Sequence, residues 1–407
     1  MINQAISSEK GVRLDSAAFP GNGTARSRLL FVTPRYPPFT GGVENHVYQV
    51  ARRLAPYFDV TVLTTDPSGQ LAPREEEEGV TVRRVRAWPS RGDFYLAPDI
   101  FRVIRDEPWD LVHIQSFHTL VAPLAMLAAR QARIPYVLTF HGGGHSSRWR
   151  HSLRGAQRRV LRPLLAGAER LVAVARFEID AYGRELGIPR ERFALIPNGC
   201  DLQPARAARG REHARIASIG RLEEYKGHHR ILRAMPEIIR QEPEARLWIA
   251  GSGPYEPELR RLAAELGMTD RVDIQAIPAA ERERMAEELS RVSLAVLLSE
   301  FETQPIALLE ALALGCSALV ADTSGLREMA EAGLARAIPL NSTPEEVARA
   351  AVQELRAPAR AAPVVLPTWD DCARDLRLLY ESVLDGRSPG VVSDLSARGR
   401  KEESTIA

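Results

Sequence analysis

A few side chains in this sequence have the types and spacing to grip a ligand that carries both phosphates and hydroxyls. Arg221 and Lys226 stand five residues apart across a turn flanked by Gly220 and Gly227, so little bulk surrounds two fixed positive charges. As the bond to a diphosphate leaving group breaks, its charge becomes less shared, and an arginine fork with a lysine point charge stabilises that change. Glu302 and Glu310, with seven residues between them, supply carboxylates for hexose hydroxyls and a ribose diol respectively. His141 ends an apolar run and precedes three glycines. A neutral imidazole there donates one hydrogen bond to a sugar or phosphate oxygen, and its protonated form would help an anion leave. The plainer alternatives are exposed loop cations, a helix-start charge, a surface glutamate and a histidine satisfied within its loop.

Backbone amides extend this set. Gly41 and Gly42 precede a helical pattern, where paired glycines let amides approach a phosphate at a helix N-terminus. Gly251 and Gly253 form a second glycine-containing turn. Pro305 suits the first helical position, where its missing amide costs no helix bond, and the amides around Thr303, Gln304 and Ile306 add donors. No Asp-x-Asp sequence occurs, so charge neutralisation is expected from Arg221, Lys226 and helix termini, with no metal site.

Each of these pieces follows a short apolar run, and the runs imply the scaffold. Strand candidates at 29–33, 58–65, 80–85, 111–115, 135–141, 171–174 and 193–199 alternate with helical patterns such as 43–54 and 120–129. A second series opens at 216–219 and continues with strands at 247–250, 272–274, 292–298 and 318–320. Helical patterns at 231–239, 256–266, 281–289, 306–314 and 326–331 separate them. Such alternation implies doubly wound sheets whose ligands bind beyond the C-terminal strand ends, and two of them leave a cleft between. The acidic run 75–78 reads as a solvated loop face. A last helix covers 369–383, capped by Thr368 or Asp370.

Composition agrees with two domains: 407 residues, 45% hydrophobic and 26% charged. Cys200, Cys316 and Cys372 are far apart and odd in number, which excludes a disulfide scaffold. No run approaches the roughly 20 apolar residues of a membrane span, and the first 27 residues lack a signal-peptide core. The expectation is a cytoplasmic protein, either soluble or peripheral on the inner face of the membrane. The net charge of +2 hides an asymmetry, because the first 200 residues hold 27 Lys and Arg against 19 Asp and Glu.

Taken in order, Pro37 to His46, Thr139 to Gly142, Ile196 to Gly199, Gly220 to Gly227, Gly251 to Pro254 and Glu302 to Glu310 resemble the retaining glycosyltransferases of family 4, glycosyltransferase group 1. The resemblance implies the α/β GT-B fold, two Rossmann-like domains with parallel sheets facing across a central cleft. With the composition of the ends and of the polar segment between the halves, the chain is expected to divide into a flexible extension (1–27), an acceptor domain (28–200), a linker (201–212), a nucleotide-sugar-binding domain (213–366), a helix crossing back to the N-terminal domain (367–385) and a flexible tail (386–407). The resemblance also implies a nucleoside-diphosphate sugar, UDP- or GDP-linked, as substrate and no separate cofactor. Gly42 would contact the diphosphate, Arg221 and Lys226 would clamp it, and Glu310 would hold the ribose. Glu302 and the backbone from Thr303 to Ile306 would hold the donor sugar, with His141 beside it. Two departures bear on specificity: Gln304-Pro305 stands where an aromatic residue and glycine are common, and Ala276 where glycine is common.

The acceptor is expected to be a glycan, a lipid-linked sugar or a small molecule. Arg148, Arg150, Arg154, Arg158, Arg159 and Arg162 lie in a stretch without acidic residues, interleaved with Trp149, Val160 and leucines. A basic amphipathic segment at 148–165 suits an anionic membrane surface or a polyanionic acceptor. The competing readings are a nucleotide-sugar epimerase or phosphorylase on a similar scaffold and a non-catalytic polyanion-binding module. Nucleic acid is not expected, because the segment lacks aromatic interleaving on strands and any recognition-helix spacing.

Overall fold

Leu29, Leu30, Phe31 and Val32 offer no polar side chain, and the strand they build, β1 (Arg28–Val32), is buried along nearly its whole length. A strand apolar on both faces belongs in the middle of a sheet covered by helices on each side. The computed structural model describes residues 26–39, 41–89, 95–142, 148–202, 212–278, 281–358 and 365–386, with side chains of the 148–165 helix described from residue 157 onward. The expected extension up to residue 25, most of the linker (203–211) and the tail beyond 386 lie outside the described residues.

In the first half α1 (Gly42–Leu54) leads to β2 (Asp59–Asp66), β3 (Arg74–Glu77), β4 (Val80–Arg86), α2 (Pro98–Asp106), β5 (Leu111–Gln115), α3 (Val121–Ala132) and β6 (Tyr136–Thr139). Then come α4 (Arg148–Leu165), β7 (Arg170–Ala173), α5 (Arg176–Leu186) and β8 (Phe193–Leu195). The sheet order is β3-β4-β2-β1-β5-β6-β7-β8, parallel except for the β3–β4 pair. The acidic run expected as a loop is therefore largely an edge strand. Exposed carboxylates suit that position, since charge on an open edge discourages pairing with another chain.

The second half runs β9 (Arg215–Ile219), α6 (His228–Gln241), β10 (Arg246–Ala250), α7 (Glu256–Glu265), β11 (Val272–Ile274), α8 (Arg282–Ser290) and β12 (Leu294–Leu297). It continues with α9 (Ile306–Ala313), β13 (Ser317–Ala321), α10 (Ser324–Glu331), β14 (Arg336–Ile338) and α11 (Pro344–Arg356). Its sheet, β11-β10-β9-β12-β13-β14, is parallel throughout. Strand order reverses between β1 and β5 in the first sheet and between β9 and β12 in the second. At such switch points the loops beyond the strand ends part and leave a crevice.

The last helix, α12 (Trp369–Leu384), returns to the first domain. Thr368 caps it, its hydroxyl taking the Asp371 amide at 3.1 Å while Asp371 takes the Thr368 amide. Trp369, Cys372, Leu376, Leu379 and Tyr380 bury against β1, β2 and α1. The Tyr380 hydroxyl meets His113 Nδ1 at 2.5 Å, so a histidine in the middle of β5 is a satisfied core group. The returning backbone passes Gly199 closely: a Cβ there would lie 2.2 Å from the Trp369 nitrogen, so only glycine fits.

Candidate active site

Two loops at the switch point of the second sheet carry most of the charged groups. The turn after β9 presents Arg221 and Lys226, and the segment after β12 presents Glu302. Gly227 has φ +72, and a Cβ on it would sit 2.0 Å from the Leu298 carbonyl oxygen, so the two loops lie too close there for any side chain. The Lys226 ammonium reaches Glu302 Oε1 at 2.6 Å, and Ser299 Oγ donates to the same oxygen at 3.0 Å. Burial works against the Lys226 charge, but Glu302 and Tyr225 together outweigh it and hold the pKa above the ordinary value. Arg221 is about half exposed and rests on Glu223 at 2.9 Å and the Tyr225 hydroxyl at 3.2 Å. Burial disfavours its charge too, and Tyr225 and Glu223 more than compensate. Both cations thus keep their charge at neutral pH.

Gly251 and Gly253 adjoin the same turn for a reason of packing. A Cβ on Gly251 would lie 1.9 Å from the Gly220 oxygen, and one on Gly253 2.4 Å from the Leu222 oxygen. Leu222 donates its amide to Ser252 at 2.9 Å, zipping the turns together. Pro305 is the capping residue of α9 and not its first helical residue; its carbonyl takes the amides of Leu308 and Leu309. Glu310 lies buried inside α9 and is ion-paired with Arg282, so the carboxylate expected to be free for a ribose already has a cationic partner. Burial raises the Glu310 pKa, and Arg282 opposes the rise.

The first domain supplies the facing wall. His141 follows β6 with φ 43, an uncommon left-handed conformation for a residue with a side chain. Its Nε2 donates to Gln115 Oε1 at 2.7 Å, which leaves Nδ1 as an acceptor. Burial drives its pKa well below the ordinary value, so the protonated form expected to assist an anion is disfavoured and a neutral imidazole stands there. Gly41 caps α1 without any side-chain bond, and an added Cβ on Gly42 would be only 3.9 Å from Ile306 of the other domain. Glu44, in the same first turn, is close enough to Arg221 to reinforce its charge.

Several residues in this wall carry no role in the sequence reading. His46 bonds through Nδ1 to Asn198 Oδ1 at 2.9 Å, and its ring stands edge-on to His141 with centroids 4.6 Å apart. Asn198 ties the domains together: its amide donates to Gln304 Oε1 at 2.5 Å and its Nδ2 to the Gln304 carbonyl at 3.2 Å. Gln304 therefore spends its side chain on the opposite domain. Glu178, fully buried in α5, accepts the amides of Gly142 at 3.0 Å and Val174 at 2.9 Å. Burial pushes its pKa up to about 7 against the pull of those amides. His46 and Asn198 sat within recognisable motifs, but nothing local pointed to Glu178.

In α4 the side chains of Arg148, Arg150 and Arg154 lie outside the described residues. Arg158 pairs with Glu185 at 2.5 Å and Arg162 donates to the Leu186 carbonyl, both packing α4 onto α5, while Arg159 and Val160 face outward. Among the described residues no helix is long and apolar enough to cross a membrane, and no group of three His, Cys, Asp or Glu is placed to hold a metal ion. A cavity of about 500 Å³ opens at the other edge of the second sheet, beside Arg215, Trp248 and Val272. Its arginines 215 and 291 are committed to Glu288 and Glu212, and it takes no part in the site.

Comparison with known proteins agrees with this geometry. Residues 40–204 match the Glycosyltransferase Family 4 model, and residues 203–359 match Glycosyl transferases group 1. A GDP-mannose:cellobiosyl-diphosphopolyprenol alpha-mannosyltransferase of Xanthomonas oryzae is 27% identical over 72% of this chain and 78% of its own. A D-inositol 3-phosphate glycosyltransferase of Nocardia farcinica is 29% identical over 70% of each chain. Among solved structures, sucrose-phosphate synthase from Thermosynechococcus elongatus superposes with TM-score 0.70 at 18% identity, over 89% of this chain and all of that one. Anabaena HepE in complex with UDP and glucose gives 0.65 at 17% identity, over 94% and 99%. These likenesses identify the GT-B fold.

Proposed function

The chain belongs to the glycosyltransferases, a Family 4 domain followed by a group 1 domain, and we propose on that footing that it is a metal-independent retaining enzyme. It moves a hexose-type sugar from a UDP- or GDP-linked donor to a glycan, lipid-linked or small-molecule acceptor. The observation that carries the reading is the meeting of Lys226, Arg221 and Glu302 at one switch point, opposite Gly41, Gly42 and His141 of the other domain. The diphosphate lies against Arg221 and Lys226 and the N-terminal amides of α1. Glu310, beside Arg282, takes the ribose. Glu302 and the 303–306 backbone take the donor hexose.

Lys226 and Arg221 neutralise the charge that grows on the departing phosphate, a role a divalent ion would otherwise serve. Glu302 is bound to Lys226 and Ser299 and is a poor nucleophile in that state. Transfer proceeds on one face of the sugar, and the leaving phosphate takes the acceptor proton. His141 stays neutral and orients a hydroxyl through Nδ1. The polyprenol-linked and inositol phosphate acceptors named for the relatives support an anionic acceptor. With Arg159 and Val160 facing outward, residues 148–165 rest transiently on an anionic membrane, on the cytoplasmic face where nucleotide sugars are supplied. Incubation with GDP-mannose, UDP-glucose and related donors, scored by nucleoside diphosphate release and by the anomeric form of the product, tests the reaction. Binding without hydrolysis or transfer across donors and acceptors contradicts it, and an inverted product contradicts retention. Flotation with neutral and anionic liposomes tests the membrane contact, and failure to float with either removes it.

A further inference from the structure

Helix α5 begins at Arg176 behind Ala175, a residue with no side-chain oxygen to satisfy the first free amides. Those amides are taken from the other domain. Glu328, on α10, accepts the Arg176 amide at 2.9 Å through Oε2 and the Phe177 amide through Oε1. The contact is reinforced beside it, where the Phe177 and Phe301 rings meet edge-on at 5.8 Å.

Both helices touch the site through their first turns. On the α10 side, Ser324 Oγ takes the Glu302 amide at 2.9 Å, and the Gly325 amide donates to the Glu302 carbonyl at 3.0 Å. A Cβ on Gly325 would collide with the Thr303 oxygen at 1.5 Å, so the donor loop lies directly on α10. On the α5 side, Glu178 holds the Gly142 amide and so the loop that carries His141. A Cβ on Gly142 would lie 2.9 Å from Thr303 Cγ2, so the two loops are nearly in contact.

We propose that Glu328 is a positioning residue for sugar transfer: by capping α5 from the opposite domain, it sets the register in which the His141–Gly142 loop closes on the donor loop at 302–304. The proposal rests on the glycosyl-transfer reading of this site but on no single donor contact. When the domains part, α5 loses its cap, so the bond forms only in the closed arrangement. Closure completes the constellation and excludes water, and misplacement by about 1 Å is enough to slow transfer markedly.

The test is Glu328→Ala, assayed with saturating donor and acceptor beside Glu328→Gln and Lys226→Ala. Transfer kcat for Glu328→Ala should fall roughly 10- to 100-fold with donor KM changing less, and the share of donor lost to hydrolysis should rise. Glu328→Gln, which keeps one acceptor oxygen, should recover part of the rate. A second variant separates closure from simple helix capping, because Ala175→Ser in the Glu328→Ala background gives α5 its own cap. Restored thermal stability with kcat still low supports the proposal, whereas full recovery of kcat, or an unaffected rate in Glu328→Ala alone, overturns it. Should Glu328→Ala fold poorly, the Ala175→Ser double variant carries the kinetic comparison. Lys226→Ala keeps the two ideas apart: loss of transfer there with a silent Glu328→Ala removes only the positioning role, and a silent Lys226→Ala removes the underlying site.

Discussion

At the scale of single residues, the Lys226–Glu302 pair carries two duties. Both side chains are mostly buried, and removing one partner of such a pair leaves the other charge without compensation, a cost of about 3–5 kcal/mol. Lys226→Met should therefore lower both stability and turnover, the latter by roughly 100- to 1,000-fold if the ammonium stabilises the leaving phosphate. Adding Glu302→Gln should return much of the stability and none of the turnover, as read by denaturant midpoints beside transfer rates. Glu178 makes a pH prediction of its own. Its folded-state pKa of about 7 lies above the ordinary 4.5, so between those values the native chain holds a proton that the unfolded chain has released. Stability then declines as pH rises from about 4.5 to 7 and levels off above, the slope following the difference in bound protons. Urea midpoints at pH 5 and pH 8 should diverge for the wild type and converge for Glu178→Gln; parallel behaviour would refute the burial argument. The charged types at 221, 226, 302 and 310 were legible from spacing alone. That Lys226 pairs with Glu302 and Arg282 with Glu310, across 76 and 28 positions, was not legible, nor was the hold of Glu178 on the Gly142 amide 36 positions away, because no local pattern reveals such contacts.

At the scale of elements, legibility followed burial. Central strands such as β1 and β13 are apolar apart from their first residue because both faces are covered, and each stands out as a run, while β5 is buried along its whole length even at His113 and Gln115. β3 did not, since an exposed edge strand rich in glutamate looks like a loop. α2 and α5 are short and carry charge between their apolar positions, and α5 lacks a start signal because its cap comes from another domain. α12 was visible by its apolar spacing, yet the hydrogen bond that anchors Tyr380 to His113 was not. Tyr380→Phe leaves His113 Nδ1 buried without its partner and should cost about 1–3 kcal/mol, read as a lowered urea midpoint. An unchanged midpoint would mean that α12 is held by apolar packing alone.

At the scale of the whole molecule, two sheets of the same design face each other through their switch-point loops, and bonds such as Asn198–Gln304 and Glu328–Phe177 join them directly. If Arg221 and Lys226 supply the neutralising charge, as proposed, catalysis needs no divalent ion. Dialysis against a chelator should leave transfer within about twofold, well under 1 kcal/mol of barrier, whereas complete loss restored by a metal would assign the neutralisation elsewhere. The proposed chemistry depends on where the phosphates lie. In a crystal of the chain with an unhydrolysed nucleoside-diphosphate sugar, both phosphates should fall within hydrogen-bond distance of the Arg221 guanidinium or the Lys226 ammonium, with the ribose against Glu310. Phosphates bound out of reach of both cations would contradict it.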